Sequence, residues 1–292
     1  MHSVSELLRL DGEPVHVVHG GTGPTVLCCN GLGQAWYDWD AVVWLLRGYR
    51  LVRFDRPGLG LSPRSPRPST LDTEVARIAA VADHFSPADP VVLVAHSAAA
   101  LHAEAYARRS PHRLAGLVLV DPSYEPDAEP TRHPLRAIEF ATRRGADRLH
   151  RLLTAVPVAR AVAPTAARVA YRVSTVRRLA GPDRPGWPRR PDPVPDALQT
   201  VYRRADTLVA VLAELAAYRD QAVALRARRA AAGFPPVPTT VLTGRHTAAG
   251  ARLAADLSAE LVVLPDAAHL VMLDRPDAVA EAVRALVAPA VT

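Results

Sequence analysis

Residues 94–99 read VAHSAA and close an apolar run, PVVLV, that has the length and β-branched content of a buried strand. A serine released from such a strand at the start of a helix stands at the carboxyl edge of a sheet, where open α/β sheets place their ligands. The chemistry open to Ser97 there is nucleophilic attack, provided a neighbouring base takes its proton. The turn that presents such a serine is so sharp that only small residues fit two positions before and after it. Ala95 and Ala99 meet that condition with one methyl group more than glycine would bring. The plain alternative for Ser97 is a helix N-cap, a common place for serine. His96 adjoins it, but neighbouring side chains diverge at such a turn, so His96 reads as a pocket or packing residue.

The elements that must carry this serine can be read from the same sequence. Strand-like runs recur as PVHVVHG, TVLCCNG, RLVRFDR, PVVLVAHS and GLVLVDP, and the later ones alternate with helix-like segments such as STLDTEVARIAAVADHF and Ala98 to Arg109. Strands apolar on both faces and alternating with helices predict a mostly parallel sheet covered on each side, an α/β architecture. After Pro122 the pattern changes to arginine-rich helical stretches and a proline-rich break, GPDRPGWPRRPDPVPDA. There, Leu208, Leu212, Leu215 and Tyr218 recur at helical spacing and predict one apolar face. The alternation resumes with TTVLTG, a helix over AGARLAADLS, the strand LVVLP and a last helix from about Arg275 and Pro276. The expected organisation is a core of residues 1–123 and 237–292, interrupted by a helical cap at 124–236.

Composition narrows the function classes. With 49% apolar residues in 292, the chain can bury a large core, and no apolar stretch reaches membrane-helix length. The opening residues lack the features of a secretory signal, so the expected location is the cytoplasm. Cys28 and Cys29 are adjacent in a strand-like run, so they point to opposite faces as buried free thiols. With no CxxC spacing or Cys/His cluster, no redox or metal pair is expected. The formal charge is +6 and lysine is absent, yet the arginines are interleaved with acids and alanines, which argues for a solvated surface and against nucleic acid or membrane as partner. The GGTG at 20–23 and PGLG at 57–60 lack phosphate-loop spacing and read as turns.

Four motifs in order resemble the α/β-hydrolase family. They are NGLGQAWYDW after TVLCC, which is similar to that family's HGxG oxyanion loop with Asn30 in place of histidine; RFDRPGLGLS; the serine turn; and LPDAAHLVMLDRP, which is similar to the segment carrying the catalytic histidine. The resemblance implies the fold, with an inserted cap, and a cofactor-independent hydrolase acting on a small-molecule substrate. Carried over residue by residue, Ser97 is the nucleophile and His269 the general base. The backbone N–H groups of Leu32 and Ala98 are the candidate oxyanion donors. Asn30 can stabilise the loop through its amide, and Trp36 and Tyr37 are candidate walls of the pocket. After TTVLTG the family pattern expects an aspartate, but Arg245, His246 and Thr247 stand there. Some members supply the acid from the end of the strand after the nucleophile helix, and that position holds Asp121, with Glu125 in reserve. Asp55 reads as structural, holding the loop beside the oxyanion turn. A serine nucleophile argues against the epoxide hydrolases and haloalkane dehalogenases of this fold, whose nucleophile is aspartate, and for an ester or thioester substrate. The rival class is an inactive member that binds a small molecule or partner, motivated by the two alanines, Asn30 and the empty acid position. The sequence leaves the oligomeric state open.

Overall fold

Every residue of the strand Val91–His96 is buried, as is every residue of Thr25–Cys29, because each lies inside a sheet covered on both faces. The computed structural model describes residues 3–129, 201, 204–245 and 247–287. The strands, in chain order, are β1 Ser3–Leu10, β2 Glu13–Gly20, β3 Thr25–Cys29, β4 Arg50–Phe54, β5 Val91–His96, β6 Leu114–Val120, β7 Thr239–Thr243 and β8 Glu260–Val263. They form one sheet in the order β1-β2-β4-β3-β5-β6-β7-β8. β1 and β2 pair antiparallel, β2 meets β4 antiparallel, and all remaining pairs are parallel.

The first strand has no counterpart among the runs read from sequence. β1 lies at the sheet edge with most of its residues exposed, so it lacks the apolar continuity that marks the buried strands. Its hairpin turn is Asp11-Gly12, both at positive φ (48° and 78°), the backbone that a two-residue hairpin loop requires.

The helices are α1 Asp40–Leu45, α2 Leu71–Phe85, α3 Ala99–Arg109, α4 Ala205–Ala231, α5 Thr247–Leu257, α6 Val271–Asp274 and α7 Pro276–Val287. Thr70 caps α2 by accepting from the Thr73 N–H, and α7 starts on Pro276, where a missing N–H costs nothing. One core lies on the side of α2, α3, α4 and α5 and contains Cys29, Leu93 and Leu101; the other lies under α1, α6 and α7 and contains Cys28, Val94 and Val279. The two cysteines do face opposite sides of β3 as free thiols, and burial pushes the Cys28 thiol up to about 12.

Helix α4 is the one long described element between β6 and β7, and it packs on α2 and α3. Its described buried residues are Thr207, Val209, Ala210, Ala217, Gln221, Ala222 and Leu225. The expected face is therefore offset: Leu212 and Leu215 are exposed and Tyr218 is half-buried, while the side chain of Leu208 lies outside the described residues. The reason is that α4 lies against the alanine-rich α3, and small residues approach such a surface more closely than leucines can. The proline-rich break and most of the expected cap fall outside the described residues.

Candidate active site

The turn between β5 and α3 holds Ser97 at φ 52°, a left-handed backbone that a non-glycine residue adopts only when its surroundings impose it. The imposing contacts are the Ser97 N–H donating to Val120 O at 3.0 Å and Ser97 O accepting from the Ser123 N–H at 3.1 Å, both on the neighbouring β6 end. Ala95 and Ala99 are fully buried. The N-cap position of α3 falls on Ala98 and has no side-chain cap, so the capping role considered for Ser97 is not the one found.

Asp121, directly after β6, also sits at positive φ, 39°. Its Oδ2 lies 2.6 Å from His269 Nδ1, and its Oδ1 accepts the Gly244 N–H at 3.1 Å. Burial opposes the charge on this carboxyl, but the hydrogen bonds from His269 and Gly244 outweigh it and hold the group below its ordinary range. Gly244 follows β7, the strand after which the family pattern expected the acid. That strand end now donates to an acid delivered by its neighbour. Glu125 lies elsewhere: its Oε1 accepts from the Tyr218 hydroxyl at 3.0 Å.

His269 reaches Asp121 from the loop between β8 and α6. That loop is pinned by Arg275 to Asp266 (3.0 Å), by the Ala268 N–H to Asp274 (2.8 Å), and by the Arg245 N–H to Ala267 O (3.1 Å). The His269 side chain is 58% exposed, so water reaches its ring. With Nδ1–H directed at Asp121, Nε2 is the nitrogen left to accept a proton. His96 lies against it, ring centroids 4.7 Å apart, its Nε2 2.8 Å from His269 O and its Nδ1 2.7 Å from Gln34 Oε1. Burial, and then the neighbouring His269, push His96 down to about 3, so it stays neutral and donates one proton to one of these two oxygens.

The loop after β3 approaches from the other side. Asn30 spends both ends of its amide internally, donating to Phe54 O and accepting from the Trp39 indole, each at 2.8 Å. A Cβ on Gly31 would sit 2.5 Å from Gln34 Oε1 and 2.6 Å from His96 Nδ1, which is why this position needs glycine. The N–H groups of Leu32 and Ala98 make no hydrogen bond among the described residues. Trp36 meets His16 edge-on at 4.8 Å, and Tyr37 is buried with Ala35 and Val201. Asp55 is fully buried and accepts from the Trp36 N–H (2.9 Å) and the Leu61 N–H (3.1 Å), tying the loop after β3 to the DRPGLGLS turn.

The model of the alpha/beta hydrolase family matches residues 26–282. The chain belongs to the alpha/beta hydrolase family. As an alpha/beta hydrolase it resembles the probable oxidoreductase EphD of Mycobacterium tuberculosis, 34% identical over 202 residues, covering 61% of this chain and 33% of that protein. The chain thus spans about a third of the length of these curated relatives. Among solved structures it resembles a laboratory-evolved potato epoxide hydrolase (TM-score 0.70, 21% identity, 98% of this chain and 99% of that one). It also resembles a thermophilic esterase from Thermogutta terrifontis (TM-score 0.63, 23% identity, 98% and 97%). At those identities the likeness is one of fold.

Two residues of this alpha/beta hydrolase that the sequence reading passed over stand beside the site. Arg56, in the DRPG turn, donates to the carbonyls of Asn30 and Gly31, and it pairs with Glu214 of α4. A basic residue between Asp55 and Pro57 was visible in sequence, but its partner lies 158 residues away, and no local pattern connects them. Among the described residues no group of three or more His, Cys, Asp or Glu could hold a metal, and no helix is long and apolar enough to cross a membrane.

Proposed function

We propose that this alpha/beta hydrolase is a cofactor-independent serine hydrolase that cleaves a small carboxylic ester or thioester by acyl transfer. The observation that carries the reading is the combination of Ser97 at a left-handed strand-to-helix turn with an Asp121–His269 hydrogen bond of 2.6 Å on the same sheet edge. In this reading Ser97 Oγ attacks the carbonyl carbon while His269 Nε2 takes the serine proton, and Asp121 stabilises the imidazolium formed. The N–H groups of Leu32 and Ala98 receive the charge on the tetrahedral oxygen, a contribution of about 3 kcal/mol per donor in comparable sites. The imidazolium then gives its proton to the departing alcohol or thiol, leaving an acyl-serine. Water, deprotonated by the same nitrogen, attacks that acyl group, and the serine recovers its proton as the acid leaves.

The partial exposure of His269 supports the hydrolytic second half, since the base must reach water. The likeness to the solved epoxide hydrolases is one of fold, and an aspartate nucleophile, as the epoxide-opening chemistry of this fold uses, would have to stand where Ser97 is. The cap around α4, drawn from residues 124–236, would roof the substrate, and the cytoplasm is the proposed setting.

The test is covalent labelling with a fluorophosphonate, read by intact mass on the wild type and on Ser97→Ala, followed by a panel of p-nitrophenyl esters and thioesters. One adduct on the wild type and none on the variant is the expected result. A folded wild type that takes up no probe and turns over no ester would favour a non-catalytic ligand-binding role.

A further inference from the structure

Successive peptide groups of the loop after β3 are anchored from outside it. The two Nη atoms of Arg56 donate to Asn30 O and, at 2.8 Å, to Gly31 O. The same guanidinium pairs with Glu214, with Nη2 2.9 Å from Oε2, and that oxygen also accepts the Gly33 N–H at 2.9 Å. Gln34 Oε1 accepts the Gly31 N–H at 2.6 Å. The ion pair is largely buried, with the Arg56 side chain 6% and the Glu214 side chain 12% exposed. Burial opposes the charge on Arg56, and the charge and hydrogen bonds of Glu214 overcome that opposition, so the guanidinium is held protonated more firmly than usual.

A trans peptide points its C=O and N–H in opposite directions. Holding Gly31 O on Arg56 therefore turns the Leu32 N–H to the opposite side of the loop, and holding the Gly33 N–H on Glu214 fixes the next peptide. The Leu32 N–H lies between two anchored peptide groups and donates to nothing among the described residues. We propose that Arg56 and Glu214 are positioning residues for the oxyanion donor: α4, in the segment inserted between β6 and β7, docks on the loop through this ion pair and thereby aims the Leu32 N–H. The proposal rests on acyl transfer at Ser97.

Close packing and charge chemistry both fit this role. Gly33 and Gly58, both at positive φ, admit α4 to the loops: a Cβ on Gly33 would meet Val211 Cγ2 at 3.0 Å, and one on Gly58 would lie 2.8 Å from Ala210 Cβ. A buried ion pair is a poor way to gain stability, because desolvation offsets its attraction, and an apolar contact would dock the helix as well. The fork of a guanidinium does what an apolar contact or a lysine cannot, spanning two carbonyls and a carboxylate in one fixed plane.

The experiment compares wild type, Glu214→Gln, Arg56→Lys and the double variant on the best ester found. It measures kcat, KM and inhibition by an arylboronic acid, which forms a tetrahedral adduct with an activated serine. All assays run well below each variant's melting temperature, with near-UV circular dichroism as the check on folding. Glu214→Gln keeps an acceptor for the Gly33 N–H and removes the charge, whereas Arg56→Lys keeps the charge and removes the fork. The expected result is a kcat lower by about 10- to 100-fold in each single variant, part of what losing an oxyanion donor outright costs. Boronate affinity falls in parallel, KM moves by less than about threefold, and the double variant is no worse than the poorer single one. Should one variant fail to fold, the other decides. A kcat within about twofold of wild type overturns the proposal, and so does a rise in KM alone, which would make Glu214 a substrate-binding group. Unaffected variants of an active wild type bring down this proposal alone; a wild type without adduct or turnover brings down the acyl-transfer reading together with it.

Discussion

Two histidine–aspartate pairs stand out in this protein, and their surroundings differ more than their chemistry. In the first, Ser97 stands at the β5–α3 turn, and His269 meets Asp121 at 2.6 Å. In the second, Ser5 Oγ lies 2.9 Å from His16 Nε2, and His16 Nδ1 lies 2.7 Å from Asp55 Oδ2. Measured by distances within the histidine–aspartate pair alone, the two are nearly alike. Yet Ser5 is an exposed residue midway along an edge strand, with no helix N-terminus ahead of it to stabilise a developing oxyanion. His16 and Asp55 are buried, and Asp55 is already engaged by two backbone N–H groups, with the Ser62 hydroxyl donating to its own carbonyl. That arrangement is a strut joining β1, β2 and the DRPG turn. Burial saturates an acid and turns it into a fastening; partial exposure at a sheet edge leaves a base able to exchange protons.

The comparison breaks first at the serines. Ser97→Ala is expected to lower ester turnover by at least about 10⁴-fold, as loss of a triad nucleophile does. Ser5→Ala should leave turnover within about threefold of wild type, and peptide mapping of fluorophosphonate-treated Ser97→Ala should find no adduct on Ser5. An adduct there would mean that the buried pair also activates its serine. The acids come next. Asp121→Asn should lower kcat by about 10²- to 10⁴-fold by loosening His269 and its tautomer, while Glu125→Gln, whose partner is Tyr218, should change it by less than about threefold. Reversal of those two results would move the acid assignment to Glu125.

Stability should separate the regions in the opposite sense. Asp55→Ala strands buried donors and is expected to cost about 3 kcal/mol in urea unfolding, whereas Asp121→Asn, half-buried and at the site, should cost about 1 kcal/mol or less. Equal losses would remove the distinction between fastening and site.

The last comparison is that of pH on folding. His96 is pushed down to about 3, chiefly by burial, and burial lowers His102 as well. An unfolded histidine takes up its proton near pH 6.5, so each buried neutral ring contributes stability that is complete above that value. That contribution erodes as pH falls from about 6.5 towards the folded value, by up to about 1.4 kcal/mol per pH unit for each ring. The depressed Asp121 carboxyl acts lower: its contribution is present above about pH 4 and is lost as pH falls through its folded value. Urea unfolding at pH 7, 6, 5 and 4 should show the decline, and His102→Gln should flatten it. An unchanged slope in that variant would mean that His102 is not the group excluded from protonation.

Much of the fold was legible because buried parallel strands read as continuous apolar runs, and β3 to β7 each overlap such a run, while the exposed edge strand β8 shows through its apolar stretch LVVLP. β1 was missed because Ser3, Ser5, Glu6 and Arg9 interrupt its apolar residues and leave no continuous run. The turn glycines were legible as motifs, and Gly31 and Gly60 show why: a Cβ on Gly60 would lie 1.9 Å from Asp55 Oδ2. The face of α4 was misjudged because spacing reveals that a helix has a stripe, whereas the neighbour, here the alanine-rich α3, decides which stripe is buried.

By itself the sequence determined the strand–helix alternation, the small-residue turn around Ser97 and the order of the four motifs, because each depends on residues close together along the chain. The tertiary structure alone decided that Asp121 rather than Glu125 stands beside His269, that the end of β7 donates a hydrogen bond in place of supplying an acid, and that Glu214 meets Arg56. Those pairings join strand ends and loops more than a hundred residues apart, and the register of a parallel sheet and the packing of helices upon it bring them within hydrogen-bond reach.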